Sequence, residues 1–241
     1  MALPFLTAEW RHLAMLNYEV EPAVLRGRVP RGTELDDWHG RTYVSVVGFL
    51  FLGTRVLGLP IPFHRDFEEV NLRFYVRRKA EGGWRRGVVF VKEIVPRAAI
   101  AFVARARYNE NYVAQPMGHA IEAAPSDGIA SVSYRWTLAG RTNTLSLTPE
   151  GEPRSLLAGS EEDFIAEHYW GYTVQRDGGT CEYQVAHPPW RVAVARQATL
   201  DCDVARVYGD GFVEALRGRP TSAFLAEGSA VIVSRGVRLP G

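Results

Sequence analysis

The segment FEEVNLRFYVR, residues Phe67–Arg77, alternates polar and apolar side chains along most of its length. Successive side chains of a β-strand point to opposite faces, so every second residue of this segment is predicted to share a face. The polar face carries Glu69, Asn71, Arg73, Tyr75 and Arg77. Such a row could line a ligand cavity, or it could be the solvated face of a sheet, which is the commoner use of alternation. The segment predicts a strand and leaves the surroundings of its polar face open.

Two apolar segments flank this strand in the sequence. Tyr43–Leu52 is so apolar and β-branched that both of its faces are predicted to be covered, as in a central strand. Gly87–Val95 follows a turn at Glu81–Gly83 and predicts a hairpin with the polar-faced strand. Lys92 and Glu93 are then expected to point to opposite faces of that hairpin.

The rest of the chain predicts further short strands and a few helices. Strands are expected at Trp10–Val20, Ser131–Leu138, Arg141–Thr148, Tyr169–Gln175, Thr180–Ala186, Trp190–Arg196 and Ser222–Val237. Helical segments are expected at Pro22–Leu25, Arg97–Tyr108, Ser160–His168 and, interrupted by glycines, Asp201–Leu216. Gly53–Pro62, with two prolines, is expected to be a loop. The pattern favours a β-rich α+β protein, with a curved antiparallel sheet or barrel and a few short helices.

Length and composition limit the classes of protein and partner. With 241 residues, 46% of them hydrophobic, the chain can bury a substantial core, and we expect a single domain over residues 1–241. Lys plus Arg total 28 and Asp plus Glu total 27, so the net charge gives no overall attraction for nucleic acid or an anionic membrane. The expected partner is a small-molecule ligand.

Cysteine content and apolar runs bear on the compartment. The only cysteines, Cys181 and Cys202, exclude a dense disulfide framework and a four-thiolate metal site, and they fit a reducing cytoplasm. The first residues, MALPFLTAEWR, lack the basic and apolar regions of a secretory signal, and the best apolar run, Tyr43–Leu52, is too short to span a membrane. We therefore expect a cytoplasmic protein.

Motifs for cofactors and metals do not occur in the sequence. There is no Gly-x-Ser-x-Gly elbow, and Gly209-Asp-Gly211 lacks the rest of a dinucleotide fingerprint. His64, Asp66 and Glu69 could offer a metal one imidazole and two carboxylates, but they lack the His-x-x-x-His spacing of a helical zinc site. No cofactor and no metal are predicted.

Five segments together carry a family pattern. They are HRDFEEVNLRFYV at His64–Val76, GVVFVKEIV at Gly87–Val95, AAIAFVARARYNENY at 98–112, EHYWGY at Glu167–Tyr172 and HPPW at His187–Trp190. These segments resemble the YqjF-like family of domains of unknown function, and the similarity spans nearly the whole chain. That family resembles the acetoacetate decarboxylase-like superfamily, which implies a curved, barrel-like antiparallel sheet around a central small-molecule cavity. The family itself has no assigned activity to carry over.

The superfamily resemblance also has implications for chemistry. Its decarboxylases use adjacent lysines after the helix that follows the central hairpin, where one forms a Schiff base and the other lowers its pKa. The corresponding place here reads YNENY, Tyr108–Tyr112, and contains no amine. Decarboxylation through a lysine imine at that position is therefore not expected. The resemblance implies that Glu69 matches a cavity glutamate of these enzymes.

Four further residues join Glu69 and Arg73 as candidates. Glu69 is expected to act as an acid or base and Arg73 to hold an anionic group, since arginine makes paired hydrogen bonds to carboxylates. Lys92 is a candidate catalytic amine, because full burial can lower the pKa of a lysine by roughly 3–5 units. Its structural alternative is a charged side chain paired with a carboxylate, first of all Glu69. The expected ligand-binding residues are Asn71, Arg73, Tyr108 and His168, the last two near the mouth of the cavity.

Two classes of function stay open at this point. One is a small-molecule-binding barrel that performs proton-transfer or lyase-type chemistry on a small polar or acidic compound. The other is a noncatalytic ligand sensor or a protein-interaction module, with an exposed face for self-association into a homo-oligomer. The polar row could also be an internal ion-pair network that braces the sheet. A cavity with convergent polar groups would favour binding, whereas an interior filled with side chains would favour the interaction role.

Overall fold

The computed structural model describes residues 4–60, 64–97, 111–125 and 128–240. The strands in these ranges are β1 (Pro4–Glu19), β2 (Glu34–Leu35), β3 (Tyr43–Val56), β4 (Leu59–Pro60), β5 (Phe67–Ala80), β6 (Gly83–Val95), β7 (Tyr112–Ala114), β8 (Met117–Ala124), β9 (Gly128–Leu138), β10 (Arg141–Pro149), β11 (Arg154–Ser155), β12 (Trp170–Val174), β13 (Thr180–Ala186), β14 (Arg191–Asp201), β15 (Ser222–Ser234) and β16 (Val237–Arg238). The α-helices are α1 (Pro22–Leu25), α2 (Glu161–Ala166), α3 (Val204–Tyr208) and α4 (Val213–Leu216), with single 3₁₀ turns at Arg26–Arg28 and Asp210–Phe212.

Within the described ranges the helices are few and short, as the sequence predicts. Those in the described ranges have six residues or fewer, and none of them is long or apolar enough to cross a membrane. The predicted helix at Arg97–Tyr108 lies, apart from Arg97, outside the described residues. The prediction of one domain over residues 1–241 stays a prediction.

Seven of the described strands pair into a ring. Their order is β13, β12, β6, β5, β3, β1 and β15, and β15 pairs back with β13 through Val185–Val233 and Ala186–Ile232. The pairings within the ring are antiparallel except for the short one between β6 and β12. The predicted β-rich fold with a curved sheet is confirmed, and the ring gives it an interior.

Both faces of the central strands are covered. All nine residues from Tyr43 to Phe51 on β3 are buried, as the apolar sequence predicts. Outside the ring, strands β8, β9, β10 and β14 continue the sheet, and Tyr134 of β9 packs against β3 at Gly48. A Cβ at Gly48 would lie 2.5 Å from the Tyr134 ring, so this close approach requires glycine. Phe74 of β5 lies in the same core cluster as Tyr134. Full burial of a phenylalanine side chain contributes roughly 1.5–3 kcal/mol to the free energy of unfolding.

Helix α2 packs inside one end of the ring. It begins where the acidic segment predicts, because the Ser160 side chain accepts a hydrogen bond from the Asp163 backbone N–H at 3.2 Å. Its last residues are buried, and the Phe164 ring lies 5.5 Å from the Tyr75 ring of β5. The helix therefore forms a floor beneath the polar-faced strand.

The prediction of a loop at Gly53–Pro62 is wrong in part, because part of this segment forms strands. Strand β3 continues to Val56 and turns back through Leu57 and Gly58 into β4. Both turn residues have positive φ, 52° and 80°, which is the geometry of a tight type I′ hairpin. Pro60 is tolerated because β4 is a two-residue strand at the edge of the sheet.

Candidate functional site

The polar row of β5 faces the interior of the ring. Glu69, Asn71 and Arg73 are only 2%, 2% and 8% exposed. Their cross-strand neighbours on β3 include Phe49 and Val47, which belong to the apolar core inside the ring. The row is therefore not a solvated sheet face, and the structure brings these three predicted residues together.

A cavity of about 170 Å³ lies against this row. Most of its wall is apolar and includes Leu13, Val47, Phe49, Phe51, Phe67 and Phe90. Its buried polar and charged lining residues are Thr54, Glu69, Asn71, Arg73, Glu93 and His168. A mostly apolar wall with a few convergent polar groups is the usual composition of a small-molecule site.

One part of the cavity carries two carboxylates. Asn71 Nδ2 donates to Glu69 Oε1 at 2.9 Å, and the Tyr112 hydroxyl donates to Glu69 Oε2 at 3.1 Å. Glu93, 1% exposed, lies opposite Asn71 on β6 and beside Tyr112 on β7. These hydrogen bonds fix the orientation of the Glu69 carboxylate, as an acid or base requires. Glu93 and Tyr112 were not among the predicted site residues.

A β-bulge on β6 explains why Glu93 was missed. Counted from the hairpin turn, the register that pairs Arg73 with Phe90 would place Lys92 opposite Asn71, on the cavity side. The register shifts by one residue beyond Phe90, and Asn71 faces Glu93 instead. Because neighbouring residues point to opposite faces, one extra residue exchanges the inner and outer side chains. No turn motif or composition signal in the sequence marks this shift.

Lys92 therefore lies outside the cavity. It is opposite Leu72 on the outer face of the hairpin, and its Nζ donates to the carbonyl oxygen of Val207 in α3. Burial, and to a smaller extent the nearby Arg28 charge, lower the pKa of Lys92 from its ordinary value. Glu69 is not its partner. The only other lysine, Lys79, is exposed near the hairpin turn, so neither lysine of the chain lines the cavity.

Arg73 is a buried cation without a counter-ion in the described ranges. One guanidinium nitrogen donates to the Ile165 carbonyl oxygen at 3.3 Å and lies 3.8 Å from the Met15 sulfur. Its Nε has no hydrogen-bond partner there, and no described carboxylate lies within 4.0 Å. A guanidinium stays charged in essentially any protein environment, and burying it unpaired is costly. Arg73 is therefore suited to receive an anion.

His168, expected near the mouth of the cavity, is one of its buried lining residues. Its side chain is 1% exposed, and its ring packs 4.7 Å from Tyr75 and 5.5 Å from Phe164. Burial lowers its pKa to about 4, and the charges of two arginines add to this effect, while Asp36 opposes it. The imidazole is therefore neutral at pH 7. The other residue expected near the mouth, Tyr108, lies outside the described residues.

Within the described ranges, no group of three or more His, Cys, Asp or Glu side chains is arranged to hold a metal ion. Of the metal candidates considered, His64 lines the cavity. Asp66 accepts a hydrogen bond from the Gly53 backbone N–H at 2.7 Å, which ties it to the end of β3.

The sequence matches known proteins over most of its length. A model of DUF2071, described as an uncharacterized conserved protein, matches residues 7–230. The uncharacterized protein YqjF of Bacillus subtilis (strain 168) is 27% identical over 182 residues, which are 75% of this chain and 72% of that protein.

Solved structures of acetoacetate decarboxylase-like proteins share the fold. Acetoacetate decarboxylase from Legionella pneumophila aligns with a TM-score of 0.67 and 10% identity, over 99% of this chain and 88% of that chain. The enduracididine biosynthesis enzyme MppR complexed with pyruvate aligns with a TM-score of 0.68 and 15% identity, over 100% of this chain and 92% of that chain. An acetoacetate decarboxylase-like enzyme from Sphingomonas wittichii RW1 aligns with a TM-score of 0.66 and 14% identity, over 98% of this chain and 92% of that chain. At these identities, the likeness shows the fold alone, which is the fold that the sequence resemblance implied.

Proposed function

The chain belongs to the DUF2071 family of uncharacterized conserved proteins, and for this member we propose that the ring cavity binds a small carboxylic acid with an apolar body and catalyses proton transfer on it. The observation that carries the proposal is the buried Arg73 guanidinium, which has no carboxylate within 4.0 Å among the described residues. A ligand carboxylate would supply the missing negative charge and accept paired hydrogen bonds from the guanidinium.

The size and wall of the cavity support an acid with a short apolar body. About 170 Å³ is close to the roughly 150 Å³ of a protein cavity known to accept benzene. Aromatic and aliphatic side chains such as Phe49 and Val47 would cover the body of the ligand and exclude water. Exclusion of water strengthens the attraction between Arg73 and the carboxylate.

Glu69 supports the catalytic half of the proposal. Its carboxylate is held by Asn71 and Tyr112 on the same wall as Arg73, four residues further along β5. Four residues of a strand span about 13 Å between Cα atoms, so the two side chains can contact different parts of one ligand. Glu69 would then take a proton from the ligand, or give one to it, while Arg73 holds the carboxylate.

The fold relatives support a small carboxylate without transferring a mechanism. MppR is complexed with pyruvate, a short carboxylic acid, in a structure that aligns over the whole of this chain. Both lysines of this chain lie outside the cavity, on the outer face and near the hairpin turn. The proposed chemistry therefore uses Glu69 and Arg73 and forms no lysine imine.

Ligand-induced stabilisation tests the binding half. Phenylacetate is expected to raise the melting temperature at pH 7, whereas the neutral phenylacetamide is not, because only the acid neutralises Arg73. Arg73→Met should weaken phenylacetate binding by at least about tenfold, the effect of losing a charged hydrogen bond. Lys92→Met, on the outer face of the same hairpin, is the matched control and should bind as the wild type does. Equal stabilisation of the wild type and Arg73→Met by phenylacetate would refute the site.

Hydrogen exchange tests the catalytic half. Pyruvate in D₂O should exchange its methyl protons faster in the presence of the wild-type protein, as followed by proton NMR. Glu69→Gln keeps the shape of the side chain but cannot act as the base, so it should lose this acceleration. Binding of pyruvate without accelerated exchange would contradict the proposed catalysis of proton transfer and favour the noncatalytic ligand sensor.

A further inference from the structure

We propose that His168 takes up a proton when a carboxylate binds to Arg73, and that Asp36 is the positioning residue that holds and stabilises the resulting imidazolium. The inference deepens the proposed function and rests on it, since it requires an anion at Arg73. It adds a second acid–base group to the cavity, at the end opposite Glu69 on the polar row.

The orientation of the His168 ring is fixed from three sides. Tyr75 and Phe164 pack against it, with ring centres 4.7 Å and 5.5 Å away. Its Nε2 lies 3.6 Å from Asp36 Oδ2. Its Nδ1 is buried and has no hydrogen-bond partner in the described part of the chain. One nitrogen therefore faces a carboxylate, and the other is available to a group in the cavity that His168 lines.

Asp36 is itself held in place. Its backbone N–H donates to the Tyr75 carbonyl oxygen at 3.0 Å, and Arg86 Nε donates to its Oδ2 at 2.7 Å. Burial opposes ionisation of Asp36, but the nearby His168 ring and the hydrogen bond and charge of Arg86 outweigh it and hold its pKa below the ordinary value. Asp36 is therefore a fixed negative charge that can stabilise a positive imidazole beside it.

Burial is the main cause of the low pKa of His168, and the charged groups around the ring modify it. Arg86 of β6 and Arg73 of β5 both disfavour a positive imidazole, and Asp36, which follows β2, favours it. Phe164 of α2 and the Tyr75 ring contribute no charge and keep water away. The negative charge of a carboxylate bound at Arg73 attracts a positive imidazole and so offsets the repulsion from Arg73. The balance then shifts towards the imidazolium.

The proton balance follows directly. One proton passes to His168 Nδ1, either from hydronium or a buffer acid in solution or from the carboxyl group of an acid that enters uncharged; the N–H bond forms as the bond between the donor and its proton breaks. Between the His168 pKa of the empty protein, about 4, and the higher value in the complex, binding takes up a proton. Affinity for the carboxylate should therefore rise as the pH falls through the pKa of the complex, and this group adds no pH dependence above it.

Histidine NMR on the full chain tests the inference, with phenylacetate as the probe. In ¹³C-labelled protein, with the His168 signal assigned from His168→Gln, saturating phenylacetate should raise the His168 pKa by at least one unit. The signals of His12 and His187, whose pKa values are also lowered by burial, are to be assigned in the same way from single substitutions. Calorimetry of the wild type at pH 5.5, in buffers of different ionisation enthalpy, should report proton uptake on binding.

Variants assign the role of Asp36. Asp36→Asn should lower the pKa of His168 in the phenylacetate complex, whereas the control Asp201→Asn, at an exposed ion pair with Arg141, should leave that pKa unchanged. No binding of phenylacetate would refute the proposed function itself. Binding without proton uptake or a change at His168 would refute this inference alone, and an unchanged His168 pKa in the phenylacetate complex of Asp36→Asn would refute the role of Asp36.

Discussion

The two faces of the β5–β6 hairpin differ in what surrounds them. The outer face carries Leu72, Phe74 and Lys92 and packs against β9, β10 and α3, so its contacts are those of a closed core. The inner face carries the polar row and borders a cavity. Along the same two strands, one face is built for packing and the other leaves space beside a buried charge. The difference separates the residues that hold the fold together from those available to a ligand.

The largest expected effect tests whether the outer face is the packed one. Phe74→Ala should lower the free energy of unfolding by about 3–5 kcal/mol, because Phe74 is fully buried and its removal leaves a hole in a dense core. Phe90→Ala, on the inner face and half-buried beside an existing cavity, should cost no more than about 2 kcal/mol. Urea unfolding measures both, and equal losses would remove the distinction between the faces.

The pH dependence of stability tests whether His168 is buried as a neutral imidazole. The pKa of His168 falls from 6.5 to about 4 on folding, so the unfolded chain binds more protons between these values and stability drops as the pH falls through that window. The drop due to His168 is about 3 kcal/mol. The wild type should lose that much more stability than His168→Gln between pH 6.5 and 4. Parallel stability curves for the two proteins would show that the imidazole is not buried in neutral form.

A smaller effect is expected from the helix that forms the floor. Ser160→Ala removes the hydrogen bond to the Asp163 N–H at the start of α2 and should cost about 1 kcal/mol. Ser155→Ala, on the exposed strand β11, should stay within about 0.5 kcal/mol of the wild type. A loss for Ser155→Ala as large as that for Ser160→Ala would contradict the role of the cap.

No covalent reaction of Lys92 with keto acids is expected. Borohydride reduction in the presence of a panel of keto acids should leave Lys92 unmodified, because its amine donates to Val207 outside the cavity. Peptide mass spectrometry reads out the adduct at each lysine. A reduced keto-acid adduct at Lys92 would show that imine chemistry takes place on the outer face, and would reverse the assignment of the two faces.

Much of the fold follows from patterns along single strands. Alternation identifies which residues share a face of β5, continuous apolar sequence identifies β3 as covered on both sides, and Ser160 marks the start of α2. These features depend on local backbone geometry, which neighbouring residues determine. The sequence could therefore predict that Glu69 and Arg73 lie together.

The missed features depend on contacts between distant segments. The ring closes through two residue pairs between β13 and β15, which no local pattern indicates. The sequence predicts that Lys92 and Glu93 lie on opposite faces of the hairpin. The bulge on β6 decides which face each one takes, and it places Glu93 at the cavity and Lys92 outside it. A shift of one residue has no compositional signal, yet it changes which charges a ligand would meet. Tyr112 reaches Glu69 from a short strand that the sequence did not predict.

A crystal structure with 4-bromophenylacetate would show directly whether the ring cavity binds a carboxylate at Arg73. We expect density for the carboxylate within hydrogen-bonding distance of the Arg73 guanidinium, and an anomalous bromine peak among the apolar residues that line the ring. Bromine peaks confined to the protein surface, with the space beside Arg73 filled by protein side chains, would contradict it.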